Sequence, residues 1–188
     1  DGIISHMFNP SQSDVRRFFC AAYSKWLVKE TMDGIETIAA LWIAEHPEYH
    51  VDLSNPEGTV ERDYTVDAGR TNPYLHLSMH LSISEQCSID QPRGIQAAVE
   101  TLTSKLDSLH EAHHITMEAL GSMMWESQRS GKAPDGDAYI ENIKKVFSKI
   151  LDNTNKKTKP IFVDNYDWLS KLNYIDFLRN VGVHFTIN

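Results

Sequence analysis

Asn72–Cys87 reads NPYLHLSMHLSISEQC, and the reading of this stretch decides the fold. Asn72 is a helix-capping residue and Pro73 suits the first helical position. Apolar residues then recur at helical spacing, with Leu75, Met79 and Ile83 on one line and Leu77 and Leu81 on another. His76 and His80 stand one turn apart and project between those lines, across the face that should be buried. A buried polar pair must find partners. The stretch therefore predicts a buried helix that carries a histidine pair.

The same period continues on both sides. Ser11 or Ser13 opens a helix to about Lys29, with Val15, Phe18, Phe19, Ala22, Tyr23 and Trp26 at helical spacing. Asp33 caps a second helix with Glu36 at the capping-box position; Ile35, Ile38, Ala39 and Trp42 form its inner stripe, and it ends near His46, before Pro47. Val51–Thr71 is polar, with Asn55-Pro56 and Gly58 as turn signals, and reads as a long irregular connection. Beyond the opening stretch, Gln91-Pro92 starts a fourth helix through Ile95, Val99, Leu102 and Leu106. Ser108 caps a fifth over Leu109–Gln128, closed by Gly131 and Pro134. Asp135 or Asp137 begins a sixth through Ile140, Ile143, Phe147 and Ile150. No alternating pattern appears before residue 155, so residues 7–150 read as an all-α bundle of five to six helices.

Residues 151–188 read differently: a basic linker at Lys156–Lys159, a short strand candidate at Ile161–Val163, and a short helix over Leu172–Asn180. This is a small irregular α/β-like appendage. Composition shifts with it. Residues 1–141 hold 10 Lys and Arg against 22 Asp and Glu, a balance of −12, whereas residues 142–188 hold 8 against 4, a balance of +4. Asparagine rises from 3 to 7 and histidine falls from 8 to 1 across the same division. A seam is expected between 141 and 150. At the other end, Asp1–His6 reads as a cloning remnant before a natural start at Met7.

The chain has 188 residues and a net charge of −8. The acidic balance argues against a nucleic-acid-binding surface. No apolar run approaches the roughly 20 residues of a membrane span. Two cysteines, Cys20 and Cys87, suit a reducing cytoplasm rather than a disulfide framework. Composition leaves homo-oligomerisation open and names no partner.

Two resemblances are carried by particular phrases. Met7-Phe8-Asn9-Pro10, Val15–Phe19, Glu45–His50, Asn72–His80, Asp90–Ile95 and His110–Leu120 resemble a bacterial family known only as a domain of unknown function. That resemblance covers nearly all of residues 7–140 and implies no activity. Asn165–Trp168, Ile175–Gly182 and His184–Asn188 resemble an internal piece of bacterial tyrosyl-tRNA synthetases, covering roughly residues 142–188. In that family the stretch lies in the connective region of the catalytic domain, with a lysine usual where this chain has Val183. The family's two ATP-handling signatures are not in this sequence, so the resemblance implies a fragment that cannot aminoacylate alone. Fusion, assembly error and engineered chimera all remain open.

The chemistry-bearing residues are histidines. Apart from His6 and His184 they form three groups: His46 and His50; His76 and His80; His110, His113 and His114. Each group contains an i,i+4 pair, which places two rings on one helical face. The primary expectation is that His76, His80, His110 and His114 converge on one divalent transition ion (Zn, Fe, Ni or Cu), with His46, His50 and His113 as second choices. Glu118, one turn beyond His114, is the candidate ligand or general base. Two function classes follow: a metal-binding helical protein, extending to a metal-dependent hydrolase, or a non-enzymatic helical interaction protein with structural histidines. Cys20 and Cys87 read as structural thiols, and Met117, Met123, Met124 and Trp125 as core. Arg16-Arg17 reads as helix surface.

Overall fold

The computed structural model describes residues 11–57 and 72–152. The seam's strand candidate, the terminal remnant and most of the polar connection lie outside these residues. Among the described residues the protein is all-α, with no strand. The elements are α1 (Gln12–Val28), α2 (Gly34–Ala44), a 3-10 turn (Pro47–Tyr49), α3 (His50–Leu53), α4 (Pro73–Ile89), α5 (Ile95–Leu106), α6 (Leu109–Ser130) and α7 (Gly136–Asp152). They fall into two compact units, divided between Ser84 and Glu85 inside α4.

In the first unit, local sequence sets the helix ends. Ser11 accepts from the Asp14 amide while Asp14 reaches back to the Ser11 amide, a reciprocal capping box. Asp33 and Glu36 repeat the device on α2. Glu36 also takes an ion pair from Lys25 of α1 at 2.6 Å. The core is Phe19, Ala22, Tyr23, Ala39, Trp42, Ile43 and Leu53, with the first turns of α4. In α4 every residue from Pro73 to His80 is buried. The two-stripe pattern marks a helix enclosed all round rather than a surface helix. Asn72 caps it through Oδ1, accepting from the amides of Tyr74 and Leu75.

The polar connection is not wholly irregular: its beginning folds as α3, whose Leu53 is fully buried. Ile35 is exposed despite its place in the α2 stripe, because it sits in the first turn at the rim. Arg16 departs from its reading as surface. It is 5% exposed, and its guanidinium lies 5.7 Å from the centre of the Tyr74 ring.

The second unit packs α5, α6 and α7 around Ile95, Val99, Leu102, Met117, Leu120, Met124, Tyr139 and Ile143. Helix α5 begins at Ile95, later than Gln91-Pro92 suggested. Asp90 accepts from the Gly94 and Gln96 amides, so the cap is supplied from upstream. Ser108 caps α6, Gly131 closes it in the left-handed region, and Asp135 caps α7. Helix α7 runs without a break through the proposed seam at 141–150. Neither cysteine is in a disulfide, and burial with neighbouring Glu100 and Asp90 pushes the Cys87 thiol up to about 11, as befits a structural thiol. Trp125 is exposed, outside the core arc assigned to it. No described helix is long and apolar enough to cross a membrane.

Candidate metal centre

Three imidazoles meet inside the first unit. His46 follows the end of α2 and leads into the 3-10 turn; His76 and His80 project from successive turns of α4. His46 is 2% exposed, His76 8% and His80 0%. The Nε2 atom of His80 lies 2.9 Å from Nε2 of His46 and 3.2 Å from Nε2 of His76.

Proton counting makes this convergence chemically specific. Glu48 Oε1 lies 2.9 Å from Nδ1 of His46. An ionised carboxylate only accepts, so the hydrogen sits on Nδ1, and Nε2 of a neutral His46 is a lone pair. A single hydrogen on Nε2 of His80 then faces two neighbouring ring nitrogens. Neutral rings cannot make both contacts as full hydrogen bonds, whereas a shared cation satisfies converging lone pairs together.

Aromatic neighbours hold these rings in place. Trp42 stacks on His80 with centroids 4.0 Å apart and planes 17° apart, and its indole N–H donates to Ser84 Oγ at 2.8 Å. Ser84 in turn donates to the His80 carbonyl. Tyr49 stacks on His46 at 5.2 Å, and burial beside Glu48 lifts its phenol well above the usual range.

His50 is placed elsewhere. Its Nε2–H donates to the Ile43 carbonyl at 2.9 Å, and its ring lies 4.9 Å from Tyr23 and 5.7 Å from Trp26. That is a structural histidine with a satisfied ring nitrogen.

In the second unit, His110 and His114 stand on one face of α6 with ring centroids 4.4 Å apart, both part-buried. His113, on the adjoining face, is 2% exposed. Burial first, and then His114 and His110, push it down to about 3. It is a neutral ring at ordinary pH. Glu118 is half-buried one turn beyond His114, and burial raises its carboxyl above the usual range.

In the first unit His46 and His80 each offer a ring nitrogen that can hold a metal ion, and in the second unit His110 and His114 do the same. The sequence named three of these as first choices and placed His46 second, because Pro47 ends the helix on which an i,i+4 pair would stand. The His46-Pro47-Glu48 phrase was the available signal: a ring, a helix stop and a carboxylate two residues on. His76, the remaining first choice, packs against His80 with ring centroids 4.9 Å apart.

Two comparisons with known proteins find relatives. Partial segments match tyrosine–tRNA ligases: 61% identity over 49 residues with that of Pelagibacter ubique, 47% over 64 with that of Mesorhizobium japonicum, and 38% over 64 with that of Streptococcus pneumoniae. These matches cover 26–34% of this chain, which spans only 12–15% of each ligase. No solved structure matches. Residues 11–145 match the family model described as Domain of unknown function (DUF1841), the greater part of the sequence, and the chain therefore belongs to that family.

Proposed function

We propose that this chain is a metal-binding helical protein whose centre takes one divalent transition ion. The observation that carries the reading is the 2.9 Å approach of two Nε2 atoms, His46 and His80, with the first ring's other nitrogen committed to a carboxylate. Within the first unit the assigned ligands are His46 and His80, with His76 as alternate; His110 and His114 stay the sequence's own expectation for further ligands. All-nitrogen imidazole donors suit Zn, Ni, Cu(II) or Fe(II); neither cysteine belongs to the set.

Four protein ligands complete a tetrahedral ion and leave no position for a water. That favours binding over hydrolysis as the primary role. Hydrolysis is the second reading, favoured by Glu118, whose carboxyl burial raises above its ordinary value. It requires one position on the ion to be held by water rather than by an imidazole. Two cysteines outside any disulfide fit a reducing, cytoplasmic setting. The segment from about 151 onward is read as an appended ligase-like piece without activity of its own.

Metal analysis of protein purified without a metal-chelate column tests the reading. One ion per chain is expected. A metal-free protein that takes up neither Zn²⁺ nor Co²⁺ overturns it in favour of structural histidines in an interaction protein.

A further inference from the structure

Glu48 stands outside the candidate ligands, yet it sets the chemistry of one of them, His46. Its side chain is 56% exposed, whereas the His46 side chain it meets is 3% exposed. The carboxylate thus reaches from solvent to the one N–H that the ring of a neutral His46 carries. The turn holds the two residues in register. Pro47 occupies the first position of the 3-10 turn, the Tyr49 amide donates to the His46 carbonyl at 3.0 Å, and the Tyr49 ring stacks on the His46 ring.

We propose that Glu48 is a positioning residue for the metal centre, holding His46 as the Nδ1–H tautomer so that its Nε2 lone pair faces the ion. The inference rests on the metal-binding reading above. The opposite tautomer would carry its hydrogen on Nε2, where a metal must bind, and could not coordinate through that atom. A carboxylate behind a ligating imidazole also makes the ring a stronger donor. Glu48 acts through His46 and does not itself touch the ion. Its partly exposed position makes replacement tolerable to the fold.

The experiment compares the full-length protein with its Glu48→Ala and Glu48→Gln variants in Co²⁺ titrations, read by visible absorption, and in Zn²⁺ competition. Glutamine keeps a carbonyl that can accept the Nδ1–H bond; alanine does not. Glu48→Ala is expected to weaken affinity about 10–100-fold and alter the Co²⁺ spectrum. Glu48→Gln should stay within about threefold of the native protein, on the argument that tautomer control survives. Melting of the metal-free proteins should be nearly the same for all three. Affinity of the alanine variant equal to native overturns the positioning role while leaving the metal centre standing. A glutamine variant as weak as alanine overturns it also, because charge rather than tautomer would then set affinity. Failure of the native protein to bind Co²⁺ overturns both this role and the reading beneath it.

Discussion

The Nε2 atoms of His46 and His80 lie 2.9 Å apart, in a pocket where both rings are almost completely enclosed. Two ring nitrogens at that distance require a hydrogen or a cation between them. The arrangement ties site and core together, because His80 is at once a candidate ligand and a fully buried packing element stacked on Trp42.

His80→Gln should therefore lose metal and stability together. Removing the ring leaves buried partners without their contact, which costs about 1–3 kcal/mol, and the variant should carry far less than one ion per chain. Metal analysis alongside thermal melting checks both. A variant that melts early but keeps its full metal content would remove His80 from the ligand set.

The fold was legible because its signals are local. Ser11, Asp33 and Ser108 cap the helices they were expected to cap, and the apolar period located α1, α2, α4, α6 and α7. What was not legible depended on packing. A two-stripe helix does not reveal whether its remaining sides are covered; α4 proved enclosed. Arg16 looked like surface because its burial comes from packing remote in sequence, with its guanidinium 5.7 Å from the ring centre of Tyr74, 58 positions away. The histidine groups were visible as spacing, but His46 ranked low because a helical template cannot score a ring at a helix end. Glu48 and Trp42 gave no separate signal: their roles arise from what they touch.

Trp42 should report the centre optically. Its indole lies against His80 at stacking distance, so a paramagnetic ion bound there would quench it efficiently. Addition of Cu²⁺ should lower the fluorescence of the native protein, and Trp42→Phe should abolish most of that change although three other tryptophans remain. The same variant loses the hydrogen bond to Ser84 and should be less stable by about 1 kcal/mol. Equal quenching in both proteins would place the ion away from His80.

Ending the chain after Asp152 should leave the melting temperature within a few degrees of the full-length value. The family match stops at residue 145 and α7 ends at Asp152, while the composition changes beyond residue 141. Among the described residues, the buried apolar side chains of both units all lie before that point. A fall of tens of degrees in a melting experiment would show that the later segment is part of a core.

His113 should shape the acid limb of stability. Burial and the two neighbouring histidines hold its folded pKa at about 3, against an ordinary value of 6.5. Between those values the unfolded chain binds a proton that the folded chain refuses, so stability rises with pH through that window. The contribution is fully present above about pH 6.5 and is lost progressively as pH falls towards 3. A full shift of this kind is worth on the order of a few kcal/mol. Urea unfolding of the metal-free protein from pH 7.5 to 4.5 should show the midpoint falling steadily. His113→Gln, which has no proton to gain, should fall less steeply than the native protein over the same range, even if its midpoint at pH 7.5 is lower. Parallel curves for the two proteins would mean that His113 takes up its proton in the folded state, against the burial seen on α6.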